Sequence, residues 1–494
     1  MSGFCSRPHL WNRRDVPRLL GWSGWGHGRA DVTEAPYLVF SSRLCRSERL
    51  TDVVRGGMIP PNPDVYAAYA RWSLLVDHEA TPYRGVVSTL VESNGAPSNA
   101  EPDVPVPADE ESAARALRQS LEAAVQASMG DARRVAVSTG GGLDSGVLLA
   151  LAVHVARRAK KEVVAVALDF GGAGDDRPYL ADLERELSCE VVRVPPERGA
   201  DHVALLDGVD AAPFYCPTGP MEAAVMEHAR AAGAERVLTG AGGDQLFDGR
   251  ATDLASFLRR GHVLEGIRRA QTLRGFEQPR SPIVTWLVRP LLASLLPPSI
   301  RARRAGRSSG FVPAWAGPAL EDLEARRRRQ TTAMLEKCLP DLRPFEDRIF
   351  VAQRVQFAWL RHQQTLTSGI RRVDPFLRPD LVQRVRSLPR EWLLHGGIRR
   401  GLLRAAVRDL IPASLARRED KASVEPALVR FLRAIGGRAA LRPYASVDVL
   451  ASLGVVDRAR FAAAYEAFVD QPAHPAGWLG AWCVLALERF ARTA

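Results

Sequence analysis

The segment VAVSTGGGLDSGVLLALAVHVARRAKK, residues 135–161, constrains the fold more than any other part of the chain. A β-branched run breaks into three consecutive glycines, Gly140, Gly141 and Gly142, and then into a long apolar stretch of helical character. Consecutive glycines are costly to order, so the loop needs bare backbone where side chains would otherwise sit. A strand that ends in glycines and enters a helix offers unpaired N–H groups at the positive end of the helix dipole, which together bind phosphate. The loop is not a Walker A loop, since no Gly-Lys-Ser/Thr follows, and the GxGxxG spacing of a dinucleotide site is absent. Asp144 at its mouth suits Mg²⁺, a hard cation that shares oxygen ligands with substrate phosphates. Ser145 offers a hydroxyl to a phosphate oxygen, and Ser138, Thr139 and Leu143 complete the loop.

Around this loop, short apolar runs alternate with helical patterns. Strands are predicted at 134–138, 163–170 (VVAVALDF), 190–195 (EVVRVP) and 236–240 (RVLTG), with a helix at about 145–160. Such alternation predicts an α/β fold, a parallel sheet with helices on both faces. Ligands in such folds sit beyond the carboxyl ends of the strands. A second glycine loop, AGGDQLFDG, follows the 236–240 strand with Gly240, Gly242 and Gly243, and carries Asp244. Asp144 and Asp244 at one sheet edge would share one or two Mg²⁺ ions on a pyrophosphate, a device suited to adenylation. Beyond about residue 250 the strand signals vanish and the pattern is helical.

The rest of the chain narrows the class. With 67 Lys+Arg against 56 Asp+Glu it is basic, which permits polyanionic ligands such as ATP without demanding nucleic acid. The six cysteines form no CxxC pair, which speaks for free thiols in a reducing cytoplasm. The apolar run at 283–298 carries Arg289 and is too short to span a bilayer, so no membrane insertion is expected. Residues 92–111 read as a linker. They separate an irregular segment, 1–108, with strand-like runs at 36–42 and 85–91, from a region 109–494 with a helical lobe from about 250. The arginine runs 301–307 and 326–329 read as solvated helix faces or loop, and His395 as structural.

STGGGLDSG resembles the SGGxDS loop of the PP-loop ATP pyrophosphatases, with Gly140 where that pattern has serine. LTGAGGDQLFDG resembles the SGxGxDExFxG segment of their asparagine synthetase branch, and residues 371–424 are similar to that branch's R-x-P-F-L…LP…LR-A…LP…R…K segment. Three ordered motifs span most of residues 112–435. The resemblance implies ATP and Mg²⁺ as cofactors, with Asp144 and Asp244 as metal ligands and the two loops together with Arg400 on ATP and pyrophosphate. Lys421 would stabilise charge in amide formation, and Arg372 and Asp374, beside Arg371, are candidates on the substrate side.

The branch's glutaminase domain begins with a cysteine directly after Met1. Here Ser2 stands there, and 1–108 is similar to a shortened, degenerate amidotransferase-like (Ntn) α+β segment. Ammonia supply is therefore not expected, and the attacking amine should belong to another substrate. Ala241 replaces the glutamate of asparagine synthetases and the tyrosine of β-lactam synthetases. TWLVRPLLASLLPPSIRARR, GFVPAWAGP and GGDQLFDG are similar to lasso-peptide cyclases. That likeness implies a macrolactam synthetase that adenylates an Asp or Glu side chain of a leader-cleaved core peptide and joins it to the peptide's N-terminal amine. The implied partners are the peptide, a leader peptidase and a leader-recognition protein, with no nucleic acid. The alternatives are a small-molecule amide ligase of the same branch, a PP-loop tRNA-modifying protein, and an inactive binding scaffold.

Overall fold

Valine- and alanine-rich strands with no polar alternation can only be buried on both faces, and the structure puts them there. The computed structural model describes residues 37–42, 46–47, 50–54, 59–70, 80–91, 104–171, 175–207, 218–308, 312–338, 343–420, 423–470 and 481–493. Strands β1 (Tyr37–Ser41), β2 (Arg46–Ser47) and β3 (Val87–Val91) form a small antiparallel sheet in the order β2-β1-β3. The main sheet is parallel: β4 (Arg134–Ser138), β5 (Glu162–Leu168), β6 (Val191–Val194), β7 (Arg236–Thr239) and β8 (Arg371–Val373) lie in the order β6-β5-β4-β7-β8.

The helices that matter to the site are α1 (Pro63–Ala70), α2 (Glu110–Met129), α3 (Leu143–Ala159), α4 (Arg177–Leu187), α5 (Gly219–Ala231), α6 (Gly243–Phe247), α7 (Val263–Thr272), α8 (Pro318–Cys338), α9 (Arg343–Ser368), α10 (Pro379–Ser387), α11 (Gly401–Ala406), α12 (Glu425–Ala434) and α13 (Cys483–Thr493). Alternate strand residues divide between two cores. Val135, Val137, Ala165 and Ala167 pack under α2, α3 and α4, while Ala136, Val164 and Val166 pack against Ala224, Val225 and Met226 of α5. The α/β fold with helices on both sheet faces is therefore present. Asp109 caps α2 by accepting from Ser112 N at 2.7 Å, and Glu110 and Glu111 occupy its first turn, where carboxylates favour the helix dipole.

Two differences from the sequence reading stand out. β8 lies inside the stretch read as helical; three residues, RRV, are too few for any periodicity to register, and only pairing with β7 makes them a strand. The 163–170 and 190–195 strands are shorter than predicted, ending at Leu168 and Val194. The arginine runs fall in helices as expected, and Arg326 reaches back to Asp64 at the start of α1 at 2.6 Å. The described N-terminal residues Leu50, Val65 and Tyr66 join Trp315, Trp482 and Phe490 in one apolar cluster with the helical lobe. Among the described residues Cys189 carries a free, buried thiol, and no helix is long and apolar enough to cross a membrane.

Candidate active site

Register makes the site. Ser138 of β4 pairs with Thr239 of β7, so the two strands end level and both glycine loops emerge side by side. This is also where the sheet order reverses, since chain 134–194 runs outward from β4 and the later strands add on the other side. Such a switch point opens a crevice between neighbouring loops. The loops touch directly. A Cβ on Gly240 would meet the Ser145 nitrogen at 3.2 Å, and one on Gly243 would lie 2.5 Å from Asp144 Cγ. Gly141 has φ +88 and Gly242 φ +87, so both take the left-handed conformation that side chains resist. Around them is a cavity of about 410 Å³ whose walls include Ser138, Gly140, Gly142, Leu143, Asp144, Ser145, Gly240, Ala241, Asp244 and Arg400. Thr139 is buried just beneath, its hydroxyl donating to Ser145 Oγ at 3.2 Å.

The two carboxylates are brought together, and a guanidinium lies between them. Arg400 Nη1 is 2.8 Å from Asp144 Oδ1, and Nη2 pairs with Asp244 Oδ1. Arg400 itself is buried and takes the left-handed φ of +56, a conformation that costs a non-glycine residue roughly 1–3 kcal/mol and tends to occur at functional sites. It enters α11 at Gly401, where a Cβ would collide with the His395 carbonyl. Arg400 Nε is buried without an acceptor, which leaves a donor that a phosphate oxygen would satisfy. The donor set fits Mg²⁺: two hard carboxylates that already demand a positive charge, with the remaining ligands left to phosphates. No group of three or more His, Cys, Asp or Glu among the described residues is placed to hold a metal without such help.

Two residues that the sequence reading missed close the loop from above. Arg418, buried, donates from Nη1 to the Gly141 carbonyl at 3.0 Å, pairs with Asp176 and Asp420, and lies 4.1 Å from the centre of the Tyr179 ring. Burial pushes the Asp176 carboxyl up, and Arg418 pulls it back. This pair accounts for Gly140. A Cβ there would meet Asp176 Oδ2 at 3.0 Å, so a serine at this position would press on that carboxylate. Gly146 of α3 serves the same closure, since a Cβ would lie 2.5 Å from Leu415 Cδ2, just before Arg418. Arg404 binds the carbonyls of Arg399, Leu415, Ala416 and Arg418 at 2.6–3.1 Å; burial, with Arg400 nearby, pushes its pKa down to about 10. Its donors thus fix the backbone that carries both Arg400 and Arg418.

Below the second loop runs a buried polar network. The Thr239 hydroxyl donates to Asp374 Oδ1 at 2.6 Å, accepts from Arg372 Nη2 at 3.1 Å, and receives the Ala241 N–H at 3.3 Å. Arg372 also donates to Asp374 at 2.9 Å and to Gln364 Oε1 at 2.6 Å, and Arg361 reaches Asp374 Oδ2 at 3.4 Å. Asp374 is therefore corrected from a substrate contact to a support. It lies 3% exposed beneath the loop and away from the cavity wall, held there by Thr239 and Arg372. Arg372 does reach the wall, with its donors spent on the network. Lys421 lies outside the described residues. His395 fills a structural role: its Nδ1 meets Glu110 Oε2 at 2.6 Å, tying α2 to the segment before Arg400.

A second chamber of about 710 Å³ adjoins the first and shares Asp244 and Arg399 with it. Its apolar walls are Phe276, Trp286, Ile349, Phe350, Leu388 and Leu393. Its charges are already matched: Arg399 with Asp248 at 2.8 Å, and Glu346 with Arg250 at 3.0 Å and Arg390 at 2.8 Å. Phe276 and Trp286 meet edge-on at 6.3 Å. Sequence patterning gave no sign of this chamber, because its walls come from six separate stretches between residues 244 and 399.

The comparisons with known proteins agree with this geometry in one respect. The asparagine synthase family matches residues 116–492, which holds both loops and the Arg400 and Arg418 segments. No curated protein matches the chain. Among solved structures, the U34-tRNA thiolase NcsA from Methanococcus maripaludis with its 4Fe-4S cluster is 13% identical, with a TM-score of 0.23, covering 53% of this chain and 80% of its own. A likeness that weak carries no argument about activity.

Proposed function

We propose, on the premise that this chain belongs to the asparagine synthase family and is an ATP-dependent amide-forming ligase, that it closes a macrolactam ring in a peptide. Its substrate in this reading is a leader-cleaved core peptide, whose Asp or Glu side chain is adenylated and then joined to the peptide's own N-terminal amine. The observation that favours a peptide over a free amino acid is the 710 Å³ aromatic chamber opening beside Asp244. A free aspartate would leave most of that space to water, whereas apolar side chains of a peptide would fill it. A leader peptidase and a leader-recognition protein would deliver the substrate.

Each residue then has a defined task. The backbone N–H groups of Gly140 to Gly142 and the N-terminus of α3 receive the phosphates. Ser145 donates its hydroxyl, and Arg418 holds the loop in shape through the Gly141 carbonyl. Arg400 moves its charge from the two carboxylates to the phosphates as the nucleotide enters. Mg²⁺ held by Asp144 and Asp244 would neutralise the departing pyrophosphate. The substrate carboxylate attacks the α-phosphate and pyrophosphate leaves; the amine then attacks the acyl-adenylate and AMP leaves. Lys421, by resemblance, offsets the charge of that second step. Catalysis here is placement and charge stabilisation.

The test uses purified protein, ATP, Mg²⁺ and synthetic core peptides that carry a free N-terminal amine and an Asp or Glu side chain within ring-closing reach. Peptide-dependent pyrophosphate release is expected, with Asp144→Ala and Asp244→Ala each abolishing it. Release that ignores the peptide and responds to tRNA instead would refute the reading.

A further inference from the structure

Amide formation needs a base as well as an adenylate. A peptide α-ammonium, with a pKa of about 7.7–8.0, must lose a proton before its lone pair can attack. Most carboxylates around the nucleotide cavity are already engaged by cations: Asp144 and Asp244 by Arg400, and Asp176 and Asp420 by Arg418. Ala241 contributes no side-chain base. Glu222, in the first turn of α5, also lines the cavity. Glu222 is half-buried, with part of its surface in the cavity wall.

Its surroundings are ordered. Gln364 and Arg372 are the groups that favour its charged form, and burial opposes them strongly enough to push the carboxyl up. Arg372 in turn holds Thr239, whose hydroxyl receives the Ala241 N–H, so Glu222 belongs to the network that fixes the second loop. Gln364 Oε1 accepts from Arg372 Nη1 at 2.6 Å, which leaves Nε2 as the group that donates to Glu222.

We propose that Glu222 is the catalytic base that receives a proton from the attacking amine. This rests on the amide-ligase reading above. The ammonium gives one proton to the Glu222 carboxylate, and the neutral amine forms the C–N bond to the acyl carbon. The C–O bond to AMP breaks, its electron pair leaves on the AMP phosphate, and the second amine proton leaves with that phosphate and passes to water. A carboxyl whose affinity for protons is raised toward that of the amine makes the first transfer less uphill. The arrangement also separates the half-reactions: Asp144 and Asp244 serve adenylation, and Glu222 serves the amide step.

The test compares wild type with Glu222→Gln and Glu222→Ala, using the same synthetic core peptides. Peptide-dependent exchange of labelled pyrophosphate into ATP reads adenylation and doubles as a folding check. Ring closure is read by mass, and hydroxylamine, which attacks as a neutral nucleophile, traps the acyl-adenylate as a hydroxamate. Both variants should keep exchange and hydroxamate formation within about threefold while ring closure falls by about 100-fold, within the usual range for losing a general base. Ring closure within threefold of wild type in Glu222→Gln overturns the proposal, as does a parallel fall of exchange and closure. Either result leaves the ligase reading standing, whereas a wild-type protein without peptide-dependent exchange refutes the function and this role together.

Discussion

Replacing Arg400 with methionine keeps most of the buried stem and deletes the charge that bridges the two carboxylates. The arginine side chain is 11% exposed and Asp144 14%, so the 2.8 Å pair between them is largely shielded from water. Removing one partner of such a pair strands the other and costs roughly 3–5 kcal/mol. Asp244 is 41% exposed and adds little to that figure. Unfolding entropy of about 2.1 cal/mol/K per residue gives about 1 kcal/mol/K for the 494-residue chain unfolding as one unit. The variant should therefore melt about 3–5 °C below wild type in calorimetry without nucleotide. Mg²⁺ should then recover much of the loss, because it fills the place the guanidinium left. At a concentration about 100 times its dissociation constant it contributes about 2.7 kcal/mol, or nearly 3 °C. The wild type should respond much less, since Mg²⁺ must first displace Arg400. A variant that melts with the wild type, or equal Mg²⁺ shifts in both proteins, would refute the claim that Arg400 stands in for the metal.

Gly140→Ser restores the residue of the resembled pattern yet should impair the protein, because its Cβ would sit 3.0 Å from Asp176 Oδ2. Overpacking of this kind costs about 1–3 kcal/mol, so the variant should melt about 1–3 °C below wild type. Melting together with the wild type would show that Asp176 does not claim that space. His395→Gln tests the tie between α2 and the Arg400 segment. Its hydrogen bond to Glu110 raises the His395 pKa above the ordinary 6.5, so the stabilisation is complete below that value and is lost as pH rises through the folded-state pKa. The variant should be less stable than wild type at about pH 6 and nearly equal to it at about pH 9 in urea unfolding. A deficit independent of pH would contradict the ion pair.

Both glycine loops were legible in the sequence because a β-branched run that stops at glycines has few other uses. Asp144 and Asp244 stood out as carboxylates in the two glycine loops, and Arg400 through the resemblance alone. Their mutual ion pairing did not, because it depends on Ser138 pairing level with Thr239 across strands about a hundred residues apart. Asp176 was findable: it follows β5, whose end lies on the same sheet edge as the first loop. Arg418 carried no signal that set it apart from its neighbours in ARRED, since its function is a contact with Gly141, 277 positions away. Glu222 was hidden in an ordinary amphipathic helix pattern. Asp374 was misread as a substrate contact because a DPFL motif fixes position along the chain and leaves the facing of a three-residue strand undetermined.

The most direct test of the central claim follows the products of one reaction containing the purified protein, MgATP and such a synthetic core peptide. AMP, pyrophosphate and a peptide lighter by one water should appear in equal amounts, with none of them formed by Asp144→Ala. Formation of ADP and phosphate, or pyrophosphate release without any dehydrated peptide, would contradict it.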